Sequence, residues 1–305
     1  MKILVFGSNG FVGKSIIKNL NSSEDKMDII ASTREDTNLF SLKETSEKIK
    51  KENAEVVINA AARVGGIYAN NTQRFKFILD NLKININIFE ALSNFPETKF
   101  INIGTSSIYP LGVENPIKEE SLMTGKLEPT NSPYSMAKLT SIELGKSLHD
   151  EIGSRVLNIM PTNLYGPNDH FEKMNSHVIP GLIYKMHKAV IENSSSVEIW
   201  GSGSPLREFM HVDDLSSAII FLLNKETKFD ILNIGTGEEV TIKNLANKIK
   251  QITGFNGELV FNESFPDGNP RKLLDSSKIN KLGWFPKITL ENGLRNTFEW
   301  YKKNI

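Results

Sequence analysis

The feature that most constrains this chain lies at its start. Lys2–Phe6 is an apolar run broken by Gly7, the pattern of a strand buried on both faces. Helical spacing follows at once, with apolar residues at 11, 12, 16, 17 and 20. Between the two stand Gly7, Gly10 and Gly13 in a GxxGxxG spacing. The first glycine permits a tight turn, the second lets a pyrophosphate reach the backbone, and the third lets helix and strand pack closely. Glycine turns also serve geometry alone, so the position between strand and helix is what favours a dinucleotide site. Gly13-Lys14-Ser15 invites a P-loop reading, but that motif needs glycine five positions before Gly13, where Ser8 stands.

The alternation continues along the first half. Strand-like runs at 28–31, 56–59, 100–104 and 156–160 are interleaved with helical candidates near 74–93 and 134–149. This order predicts an α/β fold, a Rossmann-type doubly wound parallel sheet. An antiparallel α+β chain would show hairpin dipeptides between its strands, and none sits there. After about residue 165 loop clusters dominate, such as Gly166-Pro167-Asn168-Asp169 and Gly201-Ser-Gly-Ser-Pro205. Asp213 or Asp214 is expected to cap a helix running to Leu223, and Thr241 and Thr289 to cap two more. Ile231–Ile234 reads as one further buried strand. The expected organisation is a dinucleotide-binding domain over 1–165, with segments near 205–240 returning to it. Residues 166–305 then form mainly a smaller C-terminal α/β substrate domain.

Composition narrows the function classes. The chain has 305 residues, 36 Lys+Arg against 36 Asp+Glu, and no cysteine. A balanced charge offers no global field to gather nucleic acid or an anionic membrane, so an anionic ligand must be held by local cations. Without cysteine there are no disulfides, thiolate nucleophiles or Cys-ligated metals. The five histidines form no HxxxH pair, so no metal is expected. No stretch approaches the length of a membrane span and the N-terminal apolar run is too short for a secretory signal, so a soluble, cytoplasmic protein is expected.

Two further patterns bear on chemistry. The second strand ends Ala31-Ser32-Thr33-Arg34, with no carboxylate where an NAD site places its ribose acceptor. A hydroxyl pair and a guanidinium suit a 2′-phosphate, which favours NADP(H), while Glu35 and Asp36 leave a solvated charged loop as the plainer reading. Tyr134 and Lys138 are four residues apart, on one face of a helix. A cation beside a phenol stabilises the phenolate and makes it a usable acid or base near neutrality.

The glycine turn, Tyr134…Lys138 and Thr105-Ser106-Ser107-Ile108-Tyr109-Pro110 together resemble an extended short-chain dehydrogenase/reductase. More narrowly, the chain resembles the GDP-L-fucose synthase family, 3,5-epimerase/4-reductases of GDP-4-keto-6-deoxy-mannose. The segments that carry this likeness are Ala60-Ala-Ala-Arg-Val-Gly-Gly66, Pro161-Thr-Asn-Leu-Tyr-Gly-Pro167, Asn175-Ser-His-Val-Ile-Pro180, Trp200–Asp214 and Pro266–Asp275. The resemblance implies NADPH as cofactor, a GDP-sugar as substrate, and a role in polysaccharide precursor synthesis. Tyr134 would protonate the C4 oxygen, Lys138 would lower the phenol pKa and bond the ribose, and Thr105 would hold the ketone. The cofactor would lie along Gly7, Asn9, Gly10, Phe11, Val12, Gly13, Arg34, Ala60, Ala61, Ala62, Tyr134, Lys138, Pro161, Asn163, Leu164 and His177. The substrate would meet Ser106, Ser107, Asn163, Lys185, Trp200, Arg207 and Lys272, with the cations on the diphosphate and Trp200 near guanine.

One position departs from the family. Its epimerase chemistry uses a cysteine and a histidine; His177 matches the histidine, but Ser107 stands where the cysteine would be. A hydroxyl is a far weaker acid than a thiol and needs an adjacent base. The expectation is a C4 reductase of a GDP-4-keto hexose or heptose with doubtful epimerase activity; the alternative is the full bifunctional enzyme. A 4,6-dehydratase would carry Asp-Glu where Ser106 and Ser107 stand. A 4-epimerase would favour an acidic residue after the second strand. A non-catalytic dinucleotide sensor on this fold can lose Tyr or Lys, and both are present. Between Phe75 and Leu92 the apolar residues are too many for one helix face. They suggest either a homodimer through a four-helix interface or cover from the C-terminal half.

Overall fold

The computed structural model describes residues 1–172, 176–228, 230–265 and 267–305. Asn175 and Pro266, which open two of the segments above, lie outside the described residues. The chain begins β1 (Lys2–Phe6), α1 (Phe11–Asn21), β2 (Asp28–Ser32), α2 (Leu42–Glu52), β3 (Val56–Asn59), α3 (Ile67–Thr72), α4 (Arg74–Leu92) and β4 (Lys99–Ile103). A 3₁₀ turn at Ser106–Ile108 precedes α5 (Ser132–Ile152), β5 (Val156–Pro161) and β6 (Asn163–Tyr165). Then come α6 (Val178–Ile191), β7 (Ser196–Trp200), β8 (Leu206–His211), α7 (Val212–Leu223) and β9 (Ile231–Ile234). The chain closes with β10 (Glu239–Thr241), α8 (Ile242–Thr253), β11 (Glu258–Asn262), β12 (Arg271–Lys272), α9 (Ser277–Leu282) and α10 (Leu290–Asn304).

Six strands form one parallel sheet in the order β2-β1-β3-β4-β5-β9. Its strands are mostly apolar because both faces are covered, with Asn59, Asn102, Asn158 and Asn233 as buried polar exceptions. Ile3, Val5, Ile58 and Ile101 point to one side, against Ile16 and Leu20 of α1 and Leu215 and Ile219 of α7. Leu4, Phe6, Val57 and Phe100 point to the other, against Ile49 of α2 and Ile84 and Ile88 of α4. This is the Rossmann-type, doubly wound arrangement. The later elements build a smaller α/β unit: β8 is flanked by β6, β10 and β12, while β7 pairs with β11. Its core joins Ile183, Met186, Phe209, Leu245 and Leu294.

Thr241 and Thr289 cap α8 and α10 through their hydroxyls. The start of α7 differs from expectation. The cap is His211, whose Nδ1 accepts from the Asp213 backbone N–H at 3.2 Å. The two carboxylates fall inside the first turn because tertiary donors claim them. Asp213 receives Ser15 and Lys18 of α1, and Asp214 receives the backbone N–H groups of Lys287 and Ile288. Cover of α4 by the C-terminal half is also not what the fold uses. The helix packs on α2 and α5, and Phe75 and Ile86 remain 73% and 42% exposed.

Candidate active site

Parallel pairing aligns the C-terminal ends of β1 to β5 along one edge of the sheet. Just past those ends lie Gly7, Arg34, Ala60–Ala62, Thr105 and Asn163. The strand order reverses between β1 and β3, which opens a crevice there. Gly7 adopts φ +73°, and a Cβ on it would stand 2.6 Å from the Ala61 nitrogen. At Gly13 a Cβ would stand 2.1 Å from the Gly7 carbonyl oxygen, so helix and turn can approach only because the side chain is missing. Gly10 forms the N-cap of α1 with no side chain bonded to the first-turn N–H groups. Such an end attracts anions through aligned dipoles and unpaired donors.

Beyond β2 the residues behave differently from expectation. The Ser32 hydroxyl is buried and donates to Thr37 Oγ1 at 3.0 Å, and Thr33 Oγ1 donates to Asp36 at 2.7 Å. Both hydroxyls stabilise the loop itself, because a buried or turn-forming hydroxyl finds its nearest acceptor locally. The exposed guanidinium of Arg34 rests 5.5 Å over the Phe40 ring.

Thr105 and Tyr134 come together. The Thr105 side chain caps the 3₁₀ turn by accepting from Ser107 N at 3.2 Å, and its hydroxyl lies beside the Tyr134 phenol. Ser135 Oγ donates to the Ser107 carbonyl at 2.8 Å, which ties the turn to the first turn of α5. The Phe77 ring meets Tyr134 edge-on at 6.4 Å. Burial pushes the Tyr134 phenol well above its ordinary range, and the Thr105 hydrogen bond opposes this in part. Lys138 is 3% exposed and donates to the Ile103 carbonyl at 2.7 Å; burial lowers its ammonium to about 8. The expectation that Lys138 lowers the phenol pKa is not what this geometry shows. The ammonium is engaged at the end of β4, and desolvation governs both groups.

The other expected residues fall in neighbouring groups. Ser106 is buried in the 3₁₀ turn. Asn163 donates its amide to the Glu208 carbonyl at 2.8 Å, while Pro161 ends β5 and Leu164 lies on β6. Trp200 stacks on Phe265 at 4.5 Å, with the Lys185 ammonium 4.9 Å over the Trp200 ring. Arg207 and Lys272 are register partners on β8 and β12. Lys272 Nζ reaches Ser107 Oγ at 3.5 Å, which places it beside the 3₁₀ turn. His177 forms the N-cap of α6, and its Nδ1 lies 3.9 Å from Asp169. Desolvation by its surroundings disfavours the imidazolium, although the side chain keeps 46% exposure, and the nearby Asp169 carboxylate outweighs it, so the His177 pKa rises.

Sequence reasoning missed two carboxylates. Glu208 is fully buried and accepts from the backbone N–H groups of Thr236, Gly237 and Leu274 at 2.7–3.1 Å, which fixes the segments flanking Arg207 and Lys272. Asp169 holds His177 and has one buried oxygen with no hydrogen-bond partner. The adjacency of Glu208 to Arg207 was visible as Arg-Glu, but nothing local marks a carboxylate that binds backbone from two distant loops.

A glycine turn on a doubly wound sheet, with a Thr–Tyr–Lys set past the fourth strand, defines an extended short-chain dehydrogenase/reductase. The profile of the NAD dependent epimerase/dehydratase family matches residues 3–235. The chain is 42% identical to GDP-L-fucose synthase 1 of Arabidopsis thaliana over 304 residues, covering 100% of this chain and 94% of that one. It is 40% identical to GDP-L-fucose synthase of Escherichia coli over 312 residues, covering 99% and 97%. A GDP-mannoheptose C4 reductase from Campylobacter jejuni, solved with NADP bound, superposes with a TM-score of 0.88 at 33% identity, covering 99% and 98%. The chain belongs to the NAD dependent epimerase/dehydratase family and, within it, to the GDP-L-fucose synthase family.

Proposed function

We propose that this chain reduces the C4 ketone of a GDP-4-keto sugar, a 6-deoxy-hexose or a heptose, with NADPH. The observation that carries this reading is the placement of the Thr105 hydroxyl beside the Tyr134 phenol at the sheet edge, with Lys138 buried one helical turn further on. The residues fit the cofactor: the Gly7–Gly13 turn leaves room that a Cβ would fill, and the uncapped α1 suits a pyrophosphate. When bound, NADPH supplies the hydride. Asn9 to Gly13 and Ala60–Ala62 would line it, Arg34 would meet its 2′-phosphate, and Pro161, Asn163, Leu164 and His177 would flank the nicotinamide end. Thr105 donates to the ketone oxygen, and Tyr134 transfers its proton to that oxygen as charge develops there. The raised phenol pKa suits a group that must start protonated.

In this reading residues 1–165, with returning segments near 205–240, hold the cofactor, and 166–305 mainly hold the sugar nucleotide. The Trp200–Phe265 stack offers a flat surface for guanine, and Lys185 and Arg207 supply charge for a diphosphate. The substrate would be met in the cytoplasm; among the described residues no helix is long and apolar enough to cross a membrane. The exposed stripe of Phe75 and Ile86 on α4, beside Met136 on α5 at 48% exposure, supports a homodimer through a four-helix interface. Epimerisation at C3 and C5 would fall to Ser107 and His177, and a hydroxyl alone is a poor base. The bifunctional reading is favoured by one observation, the Lys272 ammonium beside Ser107. Replacing Tyr134→Phe should lower kcat for NADPH oxidation with GDP-4-keto-6-deoxy-mannose by about 10²–10⁴-fold while leaving NADPH binding intact. An unchanged kcat would remove Tyr134 as the acid.

A further inference from the structure

A serine in the place of a thiol can act on a carbon acid only if something nearby accepts its proton. The charged groups around Ser107 and Lys272 come from four places. Arg207, across the β8–β12 pair, stays cationic. Glu208 accepts from the backbone N–H groups of Thr236, Gly237 and Leu274. Glu128, in the loop before α5, accepts from the N–H groups of Thr130 and Asn131 at 3.1 Å each. Tyr134 lies beside Thr105 on the ketone side, and burial raises its phenol pKa, so it stays protonated. Lys272 Nζ, 3.5 Å from Ser107 Oγ, is therefore the one of these groups both adjacent to the hydroxyl and able to present a lone pair. The separation is long for a hydrogen bond, as catalytic contacts often are before substrate arrives.

We propose that Ser107 and Lys272 act as a proton-accepting pair in place of the missing thiol, removing the proton on the carbon next to the C4 ketone. This rests on the reading of the site as one for a GDP-4-keto sugar. In the step, the C–H bond at C3 or C5 breaks and its electron pair moves into the enolate, whose oxygen is held by Thr105 and Tyr134. The carbon-bound proton passes to the Ser107 oxygen while the Ser107 hydroxyl proton passes to the neutral Lys272 amine. Inversion follows when a proton returns from the other face, the role open to His177 with its raised pKa.

Burial, with the Arg207 charge adding to it, lowers the Lys272 ammonium to about 8, against the opposing charges of Glu128 and Glu208. A sizeable fraction of neutral amine is thus present near neutrality, and the fraction rises about tenfold from pH 7 to pH 9.

The test is solvent exchange without reduction. The full-length protein is incubated with GDP-4-keto-6-deoxy-mannose in D₂O, with no reduced cofactor, and deuterium at C3 and C5 is followed by mass spectrometry and NMR. The wild type should exchange, with a rate that rises through a midpoint near 8. Lys272→Gln should lose at least about 100-fold, and Ser107→Cys placed in that background should restore exchange, because a thiol ionises unaided. Three results would overturn the proposal: a wild type that reduces the ketone with NADPH but does not exchange, a Lys272→Gln variant that exchanges at the wild-type rate, or a double variant that stays inactive. A wild type that neither exchanges nor reduces any GDP-4-keto sugar would overturn the functional reading as well.

Discussion

Burial moves Tyr134 and Lys138 in opposite directions: it raises the phenol and lowers the ammonium to about 8. Desolvation disfavours the charged form of each, so the phenol stays protonated and the lysine titrates near neutrality. Lys138 is fully charged only below about pH 8, and its charge is lost as pH rises through that value. NADPH-dependent reduction should accordingly fall on the alkaline side with a midpoint near 8. In Lys138→Arg, whose guanidinium stays charged, the residual activity should lack that limb; a limb that persists unchanged would assign it to another group. At this scale the sequence exposed what is local. Tyr134 and Lys138 are one helical turn apart, and Thr105 lies at a strand end, so their placement at one edge of the sheet was readable from periodicity and from order along the sheet. The contact of Lys272 with Ser107 spans 165 positions, and the hold of Glu208 on two loops depends on tertiary placement. The Ser32 and Thr33 hydroxyls find local acceptors, Thr37 and Asp36, which the order of residues at the strand end does not reveal.

Among the elements, the turn between β1 and α1 shows how close packing and ligand binding share one cause. A Cβ on Gly13 would press on the carbonyl of Gly7 and on the Ser8 Cα, both backbone, so neither can yield as a flexible side chain would. Gly13→Ala should shift α1 away from the sheet, weaken NADPH binding at least about tenfold, and lower the melting temperature. Isothermal titration and thermal denaturation check both, and an unaltered affinity would place the phosphates elsewhere. The six strands of the main sheet were legible because strands buried on both faces read as largely apolar runs. The start of α7 was not, since Asp213 and Asp214 look like caps until α1 and the segment before α10 supply donors that His211 does not compete for.

Across the whole molecule, the surplus of apolar residues on α4 marks a face that the fold does not cover. Phe75→Glu combined with Ile86→Lys should convert a dimer into a folded monomer, read by sedimentation velocity; a wild type that sediments as a monomer would contradict the four-helix interface. The fold class was legible as a whole because strand, turn and helix recur with regular spacing, whereas the smaller unit, built from short strands paired out of sequence order, has no such rhythm. Hydride transfer to C4 is the central step of the proposed reaction. The direct measurement uses NADPH deuterated at the nicotinamide C4, GDP-4-keto-6-deoxy-mannose and its heptose counterpart, and an NMR spectrum of each product. Deuterium at the sugar C4, with one cofactor oxidised per sugar reduced, is the predicted result; cofactor that stays reduced with both sugars, or label at any other carbon, would contradict it.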